Sequence, residues 1–152
     1  MGLIYVSGDI LEATTEAVAN PVNCVGIMGD GLAKQFRDKY PNMFRHYCDA
    51  CHRGVLAPGR LLIYDREIFN PPFYIISFPT KKDWRHPSKL EYIESGLVAL
   101  VKILRLMGIN SISVPKLGCG LGGLDWKDVN SLIKKHLSDV NCQVVVYGDD
   151  IR

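Results

Sequence analysis

The sequence predicts an α/β protein in which helices cover both faces of a β-sheet. Three observations lead to this fold class. Short apolar runs typical of strands alternate with longer runs of helical periodicity along all 152 residues, a length that suits one domain, residues 1–152. The run Phe73 to Phe78 is almost continuously apolar, as in a strand covered on both faces. Two glycine-rich segments, residues 26–31 and 118–123, each lie between a strand-like run and a helix-like run.

The N-terminal half contains two strand-like runs followed by two helix-like runs. Leu3 to Val6 is the first strand, and Thr15 to Asn20 is the second, which we expect to end where Pro21 stops β-pairing. Apolar and aromatic residues recur at helical spacing from residue 32 to residue 40. Pro41 then begins another helix, because a proline at the first helical position loses no hydrogen bond.

The C-terminal half repeats the alternation. Ser88-Lys89-Leu90-Glu91 has the form of a capping box, so it predicts the start of a long helix, which Gly108 ends. Asp125 is expected to cap the last helix. The expected strands are Leu61–Tyr64, Phe73–Phe78, Ser111–Val114 and Cys142–Tyr147.

Composition and charge exclude several classes of protein. Hydrophobic residues make up 47% and charged residues 22% of the chain, which is ordinary for a globular protein, and no run approaches the ~20 apolar residues that span a bilayer. The formal net charge of +2 is too small to indicate nucleic-acid binding by itself. Asp9 and Glu12 interrupt any N-terminal export signal. Five cysteines, an odd number, predict reduced thiols in a cytoplasmic protein.

Cys48 to His52 matches C-x-x-C-H, the attachment motif of c-type haem. We expect neither haem nor zinc, because haem attachment requires export and only His46 and His52 are nearby as further ligands. The cysteines share a helical face with Phe44, which favours packing. No metal site is predicted.

Loops that follow the strands are expected to meet at one edge of the sheet. Gly8-Asp9, both glycine-rich segments and the basic loop Thr80–Lys89 each follow a strand, and ligands of open α/β sheets bind at that edge. Glycine-rich turns before helices expose backbone N–H groups, so two facing turns suit a diphosphate. The spacing fits neither a Walker loop nor the dinucleotide fingerprint.

Individual residues at this edge have two interpretations each. Asp9 either accepts a hydrogen bond from an exocyclic amine such as that of adenine, or caps a short helical turn. Asn20 and Asn23 either hold sugar hydroxyls or form turns, and Met28 is expected to pack. Tyr147 either stacks on a base or is a half-buried strand residue.

The basic loop combines cations with an aromatic ring. Lys82, Trp84 and Arg85 form a mixture that holds single-stranded nucleic acid, although a solvated loop anchored by a tryptophan gives the same pattern. Lys81 adds possible chemistry: as a neutral amine it attacks a sugar aldehyde to form a Schiff base. The neighbouring cation favours that neutral form, whereas bound phosphates favour the charged one.

Four segments together resemble a macrodomain: Gly8-Asp9, Asn20 to Ala33, Phe78 to Arg85 and Gly118 to Trp126. They span essentially the whole chain in the same order, and they resemble in particular the macrodomain of the DNA ADP-ribosyl glycohydrolase antitoxins, the DarG family. The human terminal ADP-ribose protein glycohydrolase branch is similar, less closely. The resemblance implies a three-layer α/β/α sandwich with a mixed six-stranded sheet and a cleft for ADP-ribose, with no cofactor.

The resemblance also implies residue roles. Asp9 meets the adenine amine, Asn23 lies by the distal ribose, and Lys81 is the catalytic lysine at the anomeric carbon of that ribose, so Lys81 and Asn23 form the implied catalytic pair. The implied ADP-ribose-binding residues are Gly8, Asp9, Ile10, Asn20, Asn23, Val25, Gly26, Met28, Gly29, Gly31, Leu32, Thr80, Pro115, Leu117, Gly118, Cys119, Gly120, Leu121, Gly122, Gly123 and Tyr147. The implied DNA-binding residues are Lys82, Trp84, Arg85 and His86.

One position departs from the human branch. That branch has a catalytic aspartate in the glycine-rich loop, where this sequence has Gly122. Asp125 lies three residues later and is expected only to cap a helix. The departure favours the DarG branch and leaves the proton-transfer group unassigned.

The implied activity is removal of ADP-ribose from thymine bases of single-stranded DNA, which reverses a DNA ADP-ribosyltransferase toxin, DarT. One alternative is a non-catalytic ADP-ribose-binding module, but such a module has no need of Lys81 at the distal ribose. The other is a hydrolase of protein-linked ADP-ribose or of ADP-ribose 1″-phosphate, but such an enzyme has no need of Trp84 and Arg85 as a nucleic-acid platform. DarG proteins carry a further C-terminal toxin-binding domain, so the chain is expected to be a macrodomain fragment or a stand-alone relative. We expect a monomer that contacts no membrane.

Overall fold

The computed structural model describes residues 2–150 and contains six strands and four α-helices in that range. The strands are β1 (Leu3–Val6), β2 (Ala17–Val22), β3 (Leu62–Asp65), β4 (Tyr74–Pro79), β5 (Ser111–Val114) and β6 (Gln143–Tyr147). The helices are α1 (Gly31–Lys39), α2 (Pro41–His52), α3 (Leu90–Met107) and α4 (Trp126–Leu137), with a short 3₁₀ helix at Ile10–Glu12. No helix in the described range is long and apolar enough to cross a bilayer.

The strands form one mixed sheet in the order β1-β6-β5-β2-β4-β3, in which β3 runs antiparallel to β4 and the other pairs are parallel. Alternate residues of each strand face opposite sides, so Ile75 packs under α1 and α2 whereas Ile76 and Phe78 pack under α3 and α4. The helices therefore form a layer on each face. The predicted three-layer α/β/α sandwich with a mixed six-stranded sheet is confirmed.

Two predicted helix boundaries are confirmed by their local geometry. Asp125 caps α4, because its carboxylate accepts the backbone N–H of Lys127 at 2.9 Å. Gly108 follows α3 with φ of 61°, the left-handed conformation in which a glycine ends a helix at no steric cost.

The expected end of β2 at Pro21 is wrong, because the strand continues to Val22. Pro21 is paired with Phe78 of β4, but pairing of β2 with β5 covers only Ala17 and Val18. The missing N–H of Pro21 therefore falls where β2 is no longer bonded to β5. Because β2 and β5 stop pairing after Val18, the loops that follow these two strands leave the sheet apart from each other.

The predicted capping box at Ser88 is also wrong. Lys89, not Ser88, is the N-cap residue of α3, and it makes no side-chain capping bond. The Ser88 side chain is instead buried, and its hydroxyl has no hydrogen-bond partner in the described part of the chain. Its backbone N–H donates to the carbonyl oxygen of Gly122 at 3.0 Å. Docking on the glycine-rich loop has replaced capping as the role of this residue.

Candidate active site

A cleft of about 970 Å³ lies across the carboxyl ends of the parallel strands. Because β1, β6, β5, β2 and β4 are parallel, the loops after them all leave from one edge of the sheet, as the sequence predicted. The lining residues are Gly8, Ile10, Pro21, Val22, Asn23, Ile27, Met28, Gly29, Asp30, Gly31, Leu32, Ala33, Thr80, Lys81, Trp84, Pro115, Lys116, Gly118, Cys119, Gly120, Leu121, Gly122, Leu124, Trp126 and Tyr147.

The glycine-rich loop between β5 and α4 is folded by its own backbone. The N–H of Leu124 donates to the carbonyl of Gly118 at 2.9 Å, and the N–H of Gly123 donates to that of Gly120 at 3.2 Å. Gly122 is buried, and a Cβ added there would overlap with the Ser88 hydroxyl and the Gly118 carbonyl oxygen. This position therefore has no room for a carboxylate, and the side chain that the human branch uses cannot be accommodated here.

The facing loop, residues 23–31, joins β2 to α1. Asn23 is 8% exposed, and its side chain organises the turn: Oδ1 accepts the N–H of Val25 at 3.1 Å, and Nδ2 donates to the carbonyl of Ile27 at 2.7 Å. The 1% exposed Met28 packs in the core below, as predicted. Asn23 lines the cleft while its amide groups are bonded within the loop.

Lys81 lies where the two loops meet. Its amine donates to the carbonyl oxygens of Leu121 at 3.3 Å and Trp84 at 3.5 Å. The backbone around it is fixed by extension of the β2–β4 pairing, in which Thr80 N–H donates to Val22 at 2.9 Å and Cys24 N–H donates to Lys82 at 3.1 Å. A primary amine on a rigid backbone at the wall of a cleft is suited to act on a bound sugar.

The basic loop after β4 places an aromatic ring at the cleft. Trp84 lines it and is 52% exposed, and the Arg85 guanidinium lies 5.7 Å from the Trp84 ring centroid. Asp83 is paired with Arg85 at 2.6 Å, which holds the pKa of that carboxyl well below its usual range. Lys82 and His86 are exposed beside the cleft.

The sequence matches known proteins over most of its length. A profile of the Macro domain matches residues 19–133.

The chain belongs to the macrodomain family.

Solved macrodomains of DarG proteins are similar over the whole domain. The macrodomain of Thermus aquaticus DarG is 44% identical with a TM-score of 0.93, and the comparison covers 97% of this chain and 98% of that one. A structure of Thermosipho africanus DarTG in complex with ADP-ribose is 34% identical with a TM-score of 0.92, covering 99% of this chain and 43% of that one. The predicted relationship to the DarG branch is confirmed.

A curated relative from Mycobacterium tuberculosis, named DNA ADP-ribosyl glycohydrolase, is 52% identical over 127 residues. That alignment covers 84% of this macrodomain and 36% of the relative. The chain thus spans about a third of the length of this longer protein.

Six residues implied as ADP-ribose contacts lie outside the lining of the cleft. Asp9 is exposed and caps the 3₁₀ helix through Leu11 N–H at 2.9 Å. Asn20 is fully buried in β2, and its Oδ1 has no hydrogen-bond partner among residues 2–150. Leu117 is buried in the core beneath the glycine-rich loop. The other three are Val25, Gly26 and Gly123.

Sequence reasoning missed the wall of the macrodomain cleft at the β6 end. Lys116 and Trp126 line the cleft there with Tyr147, and the Lys116 amine lies 5.7 Å from the Trp126 ring centroid. Trp126 Nε1–H donates to the carbonyl of Asp149 at 2.9 Å, which ties α4 to the segment after β6. Both residues flank the glycine-rich loop in sequence, and that adjacency was the available signal. Ile27 and Asp30 lie in the predicted glycine-rich segment, and the remaining unpredicted lining residues are Pro21, Val22, Ala33 and Leu124.

The thiols around the cleft are not activated. Burial raises the pKa of Cys24 and of Cys119 to about 11, so both remain thiols at neutral pH and are poor nucleophiles. Cys48 donates its S–H to the carbonyl of Gly26 at 3.4 Å, which agrees with a packing role for the C-x-x-C-H motif. Within residues 2–150, no group of three or more His, Cys, Asp or Glu side chains is arranged to hold a metal ion.

Proposed function

We propose that this macrodomain is an ADP-ribosyl glycohydrolase that removes ADP-ribose from thymine bases of single-stranded DNA. The observation that carries this proposal is the position of Lys81, whose amine bridges the carbonyls of Leu121 in the diphosphate-side loop and Trp84 in the basic loop. A reactive amine therefore lies between a cleft suited to ADP-ribose and a ring suited to a nucleobase.

The order of the strands supports one direction for the ligand in this proposal. From β1 to β4 the loops succeed one another across four strand spacings, roughly 19 Å, a length that suits an extended ligand with a diphosphate at its centre. Gly8, Ile10 and Tyr147 lie at the β1–β6 end, where we place adenine. Lys81 lies at the β4 end, where we place the distal ribose. Asp9 reaches the adenine amine from outside the cleft lining.

The two glycine-rich loops hold the diphosphate between them in this proposal. Their backbone N–H groups lie next to the N-termini of α1 and α4, where the helix dipole favours negative charge. Lys116 adds a positive side chain to the same wall. The remaining implied contacts, Val25, Gly26, Leu117 and Gly123, belong to or adjoin these two loops without lining the cleft, and Asn20 lies in β2 below them.

Lys81 can act in two ways. As a neutral amine it attacks C1″ of the ring-opened ribose; the thymine leaves with the electron pair of the C1″–N bond and takes a proton, and water then hydrolyses the Schiff base to release ADP-ribose and the amine. As a cation it stabilises the charge that develops while water attacks C1″. Gly122 has no room for a carboxylate, which removes one proton acceptor and favours a direct role for the amine.

The DNA strand continues over the basic loop. Trp84 stacks on the base, and Lys82, Arg85 and His86 meet phosphates, the combination of contacts used for single-stranded nucleic acid. Thr80 holds the backbone that carries Lys81, through its N–H to Val22.

The biological partner in this proposal is a DarT-type toxin whose DNA modification the macrodomain reverses. A Thermosipho africanus relative, 34% identical, is named a fusion of a DNA ADP-ribosyl transferase with a DNA ADP-ribosyl glycohydrolase, which supports that partnership. We propose that residues 1–152 act as one monomeric domain in the cytoplasm, on ADP-ribose and without a cofactor.

The test is a comparison of substrates. Single-stranded oligonucleotide carrying ADP-ribose on thymine, ADP-ribosylated protein and ADP-ribose 1″-phosphate are each incubated with the protein, and the released ADP-ribose is quantified. Release from the oligonucleotide alone is the expected result. Release only from protein or from the phosphate ester would favour the other hydrolases, and tight binding without any release would favour a binding module.

A further inference from the structure

Helix α2 holds the loop of Asn23 from below. Tyr47 is fully buried, and its single O–H is shared between two acceptors of Asn23, the backbone oxygen at 2.8 Å and Oδ1 at 2.7 Å. The two residues are 24 positions apart in the chain. Burial raises the pKa of this phenol well above its usual range, so it remains a donor at every pH at which the protein is studied.

The Tyr47 hydroxyl anchors both the backbone and the side chain of Asn23 to α2. With Oδ1 turned towards Tyr47, the same oxygen accepts from Val25 N–H, and Nδ2 is left facing the Ile27 carbonyl. Because the Val25 N–H can only donate and the Ile27 carbonyl can only accept, a rotated amide would lose both of these bonds, so the two backbone groups fix the direction of the amide while Tyr47 fixes its position.

The next turn of α2 supports the same loop. Cys48 donates its S–H to the carbonyl of Gly26, and the Cβ of Cys51 lies 3.7 Å from where a Cβ of Gly26 would be. The Tyr-Cys-x-x-Cys face thus contacts Asn23 and Gly26 only on the side opposite the cleft, and this gives the C-x-x-C-H segment a purpose other than haem.

We propose that Tyr47 is a positioning residue for the distal-ribose end of the cleft and acts through Asn23. Tyr47 does not line the cleft, so it acts on the sugar only by setting the Asn23 amide and the loop that the amide folds. This inference rests on the proposed function for its effect on turnover. Its effect on the loop does not depend on any ligand.

Four variants test the proposal: Tyr47→Phe, Asn23→Ala, their combination, and Tyr40→Phe as a matched control. Tyr40 is a second buried tyrosine in the same helical layer, outside the cleft, and its hydroxyl makes no hydrogen bond to any described residue. Turnover of ADP-ribosylated oligonucleotide and the Kd for ADP-ribose are measured well below the unfolding temperature of each variant. Hydrogen exchange at the Val25 and Ile27 amides is measured without ligand.

Tyr47→Phe is expected to lower kcat about tenfold, the effect of one buried acceptor, the Asn23 backbone oxygen, left unsatisfied, while the Kd for ADP-ribose changes far less. The double variant should lose no more activity than Asn23→Ala, because one residue acts through the other. The proposal would be overturned if the double variant lost activity by the product of the two single losses. It would also be overturned if Tyr47→Phe matched Tyr40→Phe in kcat and in amide exchange.

The exchange measurement separates this proposal from the proposed function. If the wild-type protein fails to cleave the oligonucleotide, the proposed reaction is contradicted. The exchange rates of the Val25 and Ile27 amides in Tyr47→Phe, compared with those in the wild type, still report whether Tyr47 positions the loop. If Tyr47→Phe does not fold, Asn23→Asp replaces it, because a carboxylate keeps an oxygen facing Tyr47 and Val25. Asn23→Asp loses the donor to the Ile27 carbonyl but keeps the acceptor for Val25, so it should retain the protection of the Val25 amide that Asn23→Ala loses; equal loss at Val25 in both would contradict the proposal.

Discussion

The amine of Lys81 donates a hydrogen bond to the backbone oxygen of Leu121, 40 residues away, at 3.3 Å. This bond spans the cleft from the basic loop to the glycine-rich loop. Substitution of Lys81 therefore changes both the proposed chemistry and one link between the loops, and the variants must separate the two effects.

Lys81→Ala should abolish turnover, while ADP-ribose still binds through the adenine and diphosphate contacts. Lys81→Arg keeps a cationic donor for the Leu121 carbonyl but cannot form a Schiff base. Turnover and calorimetric affinity are measured for both. Activity that survives in the arginine variant would exclude the covalent route. Activity that survives in the alanine variant would exclude Lys81 as the catalytic residue. Borohydride trapping of ADP-ribose on Lys81 would support the covalent route directly.

Trp84→Ala should weaken binding of the modified oligonucleotide and leave the affinity for free ADP-ribose nearly unchanged. Loss of one stacked base costs about 1–3 kcal/mol, so kcat/KM on the oligonucleotide should fall at least fivefold. Phe69→Ala is the matched control, because Phe69 is a fully exposed ring between β3 and β4, away from the cleft. An equal loss for oligonucleotide and for ADP-ribose would mean that Trp84 only supports the cleft.

Asp9 has two tasks that one pair of variants separates. Its carboxylate caps the 3₁₀ helix through Leu11, and we propose that it also accepts from the adenine amine. Asp9→Asn keeps an oxygen for the cap, whereas Asp9→Ala removes both functions. We expect ADP-ribose binding to weaken by about 1–3 kcal/mol in Asp9→Ala, with a similar loss in Asp9→Asn if its amide nitrogen faces adenine. Unchanged affinity by calorimetry in Asp9→Ala would remove Asp9 from the site.

Gly122→Ala should destabilise the protein without adding any polar group. The new methyl overlaps with the Ser88 hydroxyl and the Gly118 carbonyl, and overpacking of this kind costs about 1–3 kcal/mol. Gly120→Ala is the control in the same loop, because a Cβ at Gly120 meets nothing within 4 Å. Urea unfolding compares the two, and equal stability would show that the loop yields at position 122.

The contact between α3 and α4 should make stability depend on acid pH. Glu94 accepts from the His136 ring and pairs with Lys135 at 3.0 Å, and these partners lower the pKa of Glu94. A lowered native pKa adds stability that is fully present above the ordinary glutamate pKa, about 4.3, and is lost as the pH falls through the native value. Urea unfolding at pH 7 and pH 3 should show a larger gap between wild type and Glu94→Gln at pH 7, and a pH-independent gap would contradict this.

Local signals in the sequence predicted the helix ends where the chain itself supplies both partners. Asp125 caps a donor two residues away, and Gly108 needs only its own backbone conformation. The prediction that β2 ends at Pro21 was wrong because the rule against proline inside a sheet assumes hydrogen bonds to strands on both sides, which β2 lacks at that point. The predicted capping box at Ser88 was wrong because this side chain is buried against Gly122 and makes no bond to its own helix.

The sequence predicted which loops meet at one edge of the sheet, but not the contacts between them. Strand order cannot be read from periodicity, so the wall formed by Lys116 and Trp126 had no signal beyond adjacency to the glycine-rich loop. The bond between Tyr47 and Asn23 joins residues that only the packing of α2 on β2 brings together. The sequence therefore gives no signal that Tyr47 is a partner of the site.

The separation of β2 from β5 after Val18 has a consequence for how macrodomain activities diversify. The gap proposed to admit a diphosphate comes from strand register, and its proposed lining of amides belongs to the main chain, so we expect few single substitutions to remove it. Side chains at the β4 end, such as Lys81 and Trp84, are not part of that main-chain frame. We therefore expect substitutions after β4 to change which leaving group is accepted before they change the proposed affinity for ADP-ribose.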